Sequence, residues 1–184
     1  MVRCFLSLNI ESSLQTRLKL VQDDLKISLN RQKVKWENTD KFHLTLRFLG
    51  DVEQGKIKEI IKELGVIRTG FDVIRMTASG IGFFPNAKYP NVVFASLDEF
   101  GNSTGVLVDA IDCSLAKFGF KPDNKFVPHI TMGRFRREKR VKITNEINIS
   151  VEPMEFMFNS FFLMKSTLKP EGSVHEVIKE FKFI

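Results

Sequence analysis

Two short segments of this 184-residue chain carry residue types suited to proton transfer, at a repeated spacing. One is FHLTLRF, residues 42–48; the other is VPHITMGRF, residues 127–135. Each places a threonine two residues after a histidine: His43 with Thr45, and His129 with Thr131. On a strand, residues i and i+2 share a face. A single His-x-Thr triplet is an ordinary half-exposed strand face. Two of them, in opposite halves of the chain and each with apolar neighbours, ask for a joint role.

An imidazole titrates near pH 6.5 and exchanges protons at neutral pH. In-line displacement at phosphorus sets the entering and leaving oxygens on opposite sides. One histidine can take a proton from water while the other, protonated, gives one to the departing oxygen. The non-bridging oxygens need donors. Thr45 and Thr131 supply hydroxyls, and Arg134 supplies a guanidinium that can fork onto phosphate. Such donors stabilise charge directly, so no metal or other cofactor is expected. Metal binding by His43 and His129 would lack a suitable third ligand in the pattern. Strict alternation sets His43, Thr45 and Arg47 on one face, and Leu44, Leu46 and Phe48 on the other. Arg47 thereby becomes a possible substrate contact, with a solvent salt bridge as the alternative.

These side chains need elements to hold them. RCFLSLNI reads as a strand, followed by a helix with Leu14, Leu18, Val21 and Leu25 at helical spacing and a capping box at Ser12 and Gln15. KVKWEN and FHLTLRFLG read as strands. Residues 53–64 read as a second helix stopped by Gly65. FDVIRMTASG and NVVFASL read as strands around the turn-rich GFFPNAKYP. A third helix spans 103–118, with Val106, Ala110, Ile111, Leu115 and Phe118 inward and Gly119 as its end. The strands FVPHITMGRF, KITNEINISV, MEFMFNSFFLMKST and HEVIKEFKFI follow. Helices and strands do not alternate singly. The class expected is therefore α+β, with mostly antiparallel sheet and helices packed on one side.

At this point more of the chain falls into one pattern. HLTL and HITM match the paired His-x-Thr motifs of the two-histidine phosphoesterase superfamily. RCFLSLNI, FHLTLRFLGDV, GIGFFPN, YPNVVFASL, FVPHITMGRF and LMKSTLKPEGSVHEVI occur in the order expected of one branch. The whole chain resembles the RNA 2',3'-cyclic phosphodiesterase, or 2'-5' RNA ligase, family. The resemblance implies a single domain, 1–184, of two pseudo-symmetric lobes, each an antiparallel sheet with packed helices and a cleft between them. It implies metal-free hydrolysis of a 2',3'-cyclic phosphate end to a 2'-phosphate, with 2'-5' ligation as a minor reverse activity. His43 would be the proton donor and His129 the proton acceptor, although the pair could be reversed. Thr45, Thr131 and Arg134 would hold the phosphate. Asn91, Phe94 and His175 stand where the family often has Arg, Trp and Tyr, which bears on base preference. His175, the third histidine, is a possible substrate contact or an exposed strand-start residue. A non-catalytic RNA-end binding module is the alternative reading; intact motifs argue against it, since a binder needs no proton shuttle.

The remaining signals bound the partners. Lys and Arg outnumber Asp and Glu by 28 to 22, a net charge of +6 that suits RNA or a cyclic nucleotide. RFRREKRVK, residues 134–142, is the densest basic run and a possible track for an RNA backbone. Phe42, Phe84 and Phe126 lie near the motifs and could stack on a base. Cys4 and Cys113 are expected as buried free thiols, which fits a cytoplasmic location. No stretch is apolar enough for a signal or a membrane span, so no membrane partner is expected; separately, a monomer is expected.

Overall fold

The computed structural model describes residues 1–122, 126–136, 149, 151–170 and 172–184. Among the described residues, nine strands and three α-helices form in an α+β arrangement. The strands are β1 (Val2–Asn9), β2 (Val34–Trp36), β3 (His43–Val52), β4 (Ile74–Phe84), β5 (Val92–Glu99), β6 (His129–Phe135), β7 (Met154–Phe158), β8 (Ser160–Lys169) and β9 (Gly172–Lys182). The helices are α1 (Ser12–Ser28), α2 (Ile57–Ile67) and α3 (Ser103–Ala116). The expected strand KITNEINISV falls almost wholly outside the described residues, as does the basic run beyond Arg136.

Every pairing is antiparallel, in the order β7-β4-β5-β6-β3-β1-β8-β9, with β2 also on β6. Two half-sheets are visible in that order. One is β3-β1-β8-β9; the other is β7-β4-β5-β6 with β2. They are not separate sheets: a single bridge, Leu44 to Ile130, joins β3 to β6. Both bridge residues are fully buried, because the lobes share one apolar core running through this seam.

Helices α1 and α3 lie across the seam from the strands that precede them. α1 follows β1, yet its buried Gln22 donates to the carbonyls of Glu37 and Met132, beside β2 and on β6. α3 follows β5, yet its Asp112 pairs with Arg47 on β3. Burial of Leu18, Val21, Gln22 and Leu25 gives α1 the i, i+3, i+4, i+7 stripe that a core-facing helix needs. Buried on α3 are Thr104, Leu107, Val108, Ile111 and Leu115.

Several local expectations change. Val106 is 53% exposed, because the inward face of α3 is set by Leu107 and Val108. The same rotation leaves Cys113 exposed, while Cys4 is buried; both thiols are free. α1 has Glu11 as its N-cap with no side-chain cap, so Ser12 and Gln15 form no capping box. α2 runs through Gly65 to Ile67, since Gly65 keeps an ordinary helical conformation. Gly119 ends α3 with a positive φ of 87°, as a helix-stop glycine does. MEFMFNSFFLMKST is two strands. The buried positions Met154, Phe156 and Phe158 give way to Phe161 and Leu163, a slip of one residue at Asn159. β7 consequently pairs with β4 and β8 with β1, in different lobes.

Candidate active site

The bridge between β3 and β6 explains why the two triplets meet. In each, the bridging residue is the one between the histidine and the threonine: Leu44 and Ile130. Side chains alternate along a strand, so His43, Thr45, His129 and Thr131 all leave the face opposite the buried pair. They line one cleft of about 560 Å³.

β3 and β6 match residue by residue. His43 and His129 each open their strand. The first seven positions of both strands run half-buried, buried, half-buried, buried, buried, exposed, buried. Both strands also bulge at the fourth position. Against β1, Thr45 pairs with Ser7 and Arg47 with Leu6, leaving Leu46 extra. Against β5, Thr131 pairs with Phe94 and Gly133 with Val93, leaving Met132 extra. A bulge inserts one residue and reverses the alternation beyond it.

That reversal corrects the face assignment. Arg47 does not share the face of His43 and Thr45. It is buried, with Nε 2.6 Å from Asp112 Oδ1 and a guanidinium nitrogen donating to the Lys121 carbonyl. Phe48, expected in the core, is 61% exposed and lines the cleft instead. At the equivalent site on β6, Gly133 has no side chain, because a Cβ there would lie 2.7 Å from Val34 and 2.9 Å from Trp36 on β2. One residue further, Arg134 projects into the cleft and stands 3.4 Å from Glu37 Oε1.

The histidines are held alike. His43 Nδ1 donates to the Lys41 carbonyl at 2.6 Å, and His129 Nδ1 to the Val127 carbonyl at 2.8 Å. A carbonyl only accepts, so Nδ1 carries the proton in both rings and Nε2 is left for chemistry. The Thr45 hydroxyl lies 3.1 Å from His43 Nε2 and can donate to it. Each ring is also backed by phenylalanine. Phe5 lies 5.1 Å from the His43 ring; Phe84 and Phe94 lie 5.0 and 5.1 Å from that of His129. Phe94 has room for its own ring only because residue 82 is glycine, whose Cβ would otherwise overlap it.

His175 belongs to this cleft as well. Pairing of Ser166 with His175 brings it from β9 onto the His43 side, with ring centroids 5.5 Å apart. Its Nε2 lies 3.0 Å from Ser173 Oγ. The electrostatics follow from burial. Desolvation pushes the His43 pKa down to about 4; the Lys41 carbonyl opposes this, while His175, His129 and Arg134 add to it. His129 is lowered chiefly by burial and further by Arg134, against the Val127 carbonyl. His175 is lowered by burial and by Lys41, against Glu37 and Asp40. Among the described residues, no group of three His, Cys, Asp or Glu side chains could hold a metal ion.

Sequence reasoning missed Lys41, Phe5, Phe48 and Gly82 as parts of this site. Phe42 is 2% exposed and therefore anchors the strand rather than facing a ligand. No helix among the described residues is long and apolar enough to cross a membrane.

A two-lobed antiparallel fold with paired His-x-Thr strands at its seam defines a class of phosphoesterases. The family model described as LigT like Phosphoesterase matches residues 8–94 and 98–175, and the chain belongs to that family. It is 31% identical to an RNA 2',3'-cyclic phosphodiesterase of Methanocaldococcus jannaschii, covering 97% of this chain and 99% of the relative. It is 34% identical to a protein of the same name from Aquifex aeolicus, over 80% of each. Among solved structures, one from Thermus thermophilus superposes with a TM-score of 0.81 at 22% identity, covering 98% of this chain and 97% of that one. E. coli LigT in complex with 3'-AMP superposes at 0.77 and 19% identity, covering 99% and 98%.

Proposed function

We infer that this chain hydrolyses 2',3'-cyclic phosphate ends of RNA, or the corresponding cyclic nucleotides, to 2'-phosphates. The observation that carries this reading is the matched tethering of His43 and His129, which leaves two Nε2 atoms open to one cleft. Binding alone would not need two imidazoles in one fixed tautomer. The relatives named RNA 2',3'-cyclic phosphodiesterase supply the substrate class.

In the proposed reaction, His129 Nε2 takes a proton from water as its oxygen attacks phosphorus. The P–O3' bond breaks, and His43 Nε2 delivers a proton to the departing O3'. Thr45, Thr131 and Arg134 donate to the non-bridging oxygens, where charge grows. No metal is routed through these steps. Solvent restores the two protonation states afterwards. With a ribose 5'-hydroxyl in place of water as the attacking group, the same groups would form a P–O5' bond as P–O3' breaks and so make a 2'-5' linkage; abundant water keeps that minor.

The same pair can act with reversed roles. Burial lowers both histidines, His43 to about 4, so both are neutral in the free protein and either can be the base. A substrate in which sulfur replaces O3' separates the two assignments, because a thiolate leaves without an acid. Rescue of His43→Ala by this substrate supports His43 as donor; rescue of His129→Ala supports the reverse. The function itself is tested by turnover of a 2',3'-cyclic nucleotide in excess EDTA. Wild type should remain active, and His43→Ala and His129→Ala should each lose several orders of magnitude, the loss of an acid or base plus its alignment.

A further inference from the structure

The matched strands differ at one cleft-facing position. After the bulge, β3 presents Phe48 where β6 presents Arg134; both are exposed and both line the cleft. Arg134 brings a cation to the β6 side of the cleft, and Arg3 and Lys41 line it beside β1 and β3. On the Phe48 side the cleft holds an aromatic ring that is 61% exposed. Among the described residues Phe5 is the ring neighbour of Phe48, at 6.2 Å, and Gly50 beyond it has open space where a side chain would stand. The other aromatics around the histidines are engaged in packing. Phe5 is 3% exposed, and Phe84 and Phe94 stack on each other at 4.2 Å behind His129. Because Phe48 lines the same cleft as His43 and His129, its exposed ring offers a π-face within reach of a base attached to the bound phosphate.

We propose that Phe48 is the stacking platform for the nucleobase of the cyclic-phosphate end, with Arg134 at the matching position holding the phosphate side. This rests on the cyclic phosphodiesterase reading above and adds an orientation to it. β3 and β6 match in burial, bulge and histidine tether, so these two strands alone would accept a substrate either way round. Phe48 breaks the equivalence: β3 presents an exposed ring where β6 presents Arg134, so the base crosses to the β3 side. Stacking accepts any base, because each has a π-face. Phe48 therefore sets affinity for a base without choosing among bases.

The test compares two substrates: adenosine 2',3'-cyclic phosphate and the abasic ribose 2',3'-cyclic phosphate. Phe48→Ala, on an exposed site that leaves the core intact, should raise KM for the adenosine substrate about tenfold, the scale of one lost base stack, with kcat nearly unchanged. On the abasic substrate it should change nothing, and Phe48→Trp should restore the adenosine KM. Equal effects of Phe48→Ala on both substrates, or none on either, would overturn the platform while leaving the reaction reading intact. Failure of wild type to turn over either substrate would overturn the reaction reading, and this inference with it.

Discussion

The Nδ1 of His43 donates to the carbonyl oxygen of Lys41, two residues back, at 2.6 Å. The 3-10 turn Thr39–Lys41 aims that carbonyl at the ring, and the strand begins at the histidine itself. His129 is held the same way by Val127, so both imidazoles are fixed in one tautomer before any substrate arrives. Nitrogen NMR of the neutral rings should show Nδ1–H for both. An Nε2–H form for either would contradict the arrangement.

Burial of the histidines makes stability depend on pH. The His43 pKa is about 4 when folded, against about 6.5 unfolded. The unfolded chain therefore binds more protons between those values, and stability falls as pH drops through that window. Integrated, the loss from His43 is on the order of 3 kcal/mol. His129 and His175 shift in the same direction and add to it. Urea unfolding between pH 7 and pH 4 should show the fall, and His43→Asn should reduce it. An unchanged pH dependence in that variant would place the titration elsewhere.

Arg47 and Arg134 should separate cleanly. Arg47→Met strands Asp112, 14% exposed, without its buried partner, and should cost about 3–5 kcal/mol of stability. Replacing both, Arg47→Met with Asp112→Leu, should recover most of that loss. Arg134→Ala, on a side chain 55% exposed, should leave stability within about 0.5 kcal/mol and reduce turnover instead. Thermal melts together with turnover of a cyclic nucleotide check both halves. A stability loss from Arg134→Ala as large as that from Arg47→Met would be inconsistent with the structure.

Gly82→Ala would drive a methyl into the Phe94 ring that backs His129. Overpacking of this kind costs about 1–3 kcal/mol. Because the displaced ring supports a reacting group, kcat should fall several-fold with KM little changed. The double variant Gly82→Ala, Phe94→Leu should regain part of kcat.

The shared cleft of His43 and His129 was legible in the sequence because two unusual triplets repeat, and because a strand sets i and i+2 on one face. The same logic failed two residues later. Alternation placed Arg47 outward and Phe48 inward, but Leu46 and Met132 are bulged residues, and a bulge leaves no signature that distinguishes it from an ordinary apolar strand position. His175 could be named but not placed, since its position depends on the β8–β9 register across their turn. Gly82 and Lys41 act through close approach and through a backbone carbonyl. A backbone carbonyl is not carried by residue type, and a glycine does not say which ring approaches it. Fold class was readable from the order of elements. The split at Asn159 was not, because Met154–Lys169 is apolar enough throughout to read as one strand.

The most direct measurement is phosphorus NMR of the product formed from adenosine 2',3'-cyclic phosphate. The account predicts replacement of the cyclic ester resonance by that of the 2'-monophosphate, in EDTA, with the ester persisting when His43 or His129 is alanine. Accumulation of the 3'-monophosphate, or undiminished conversion by either alanine variant, would contradict it.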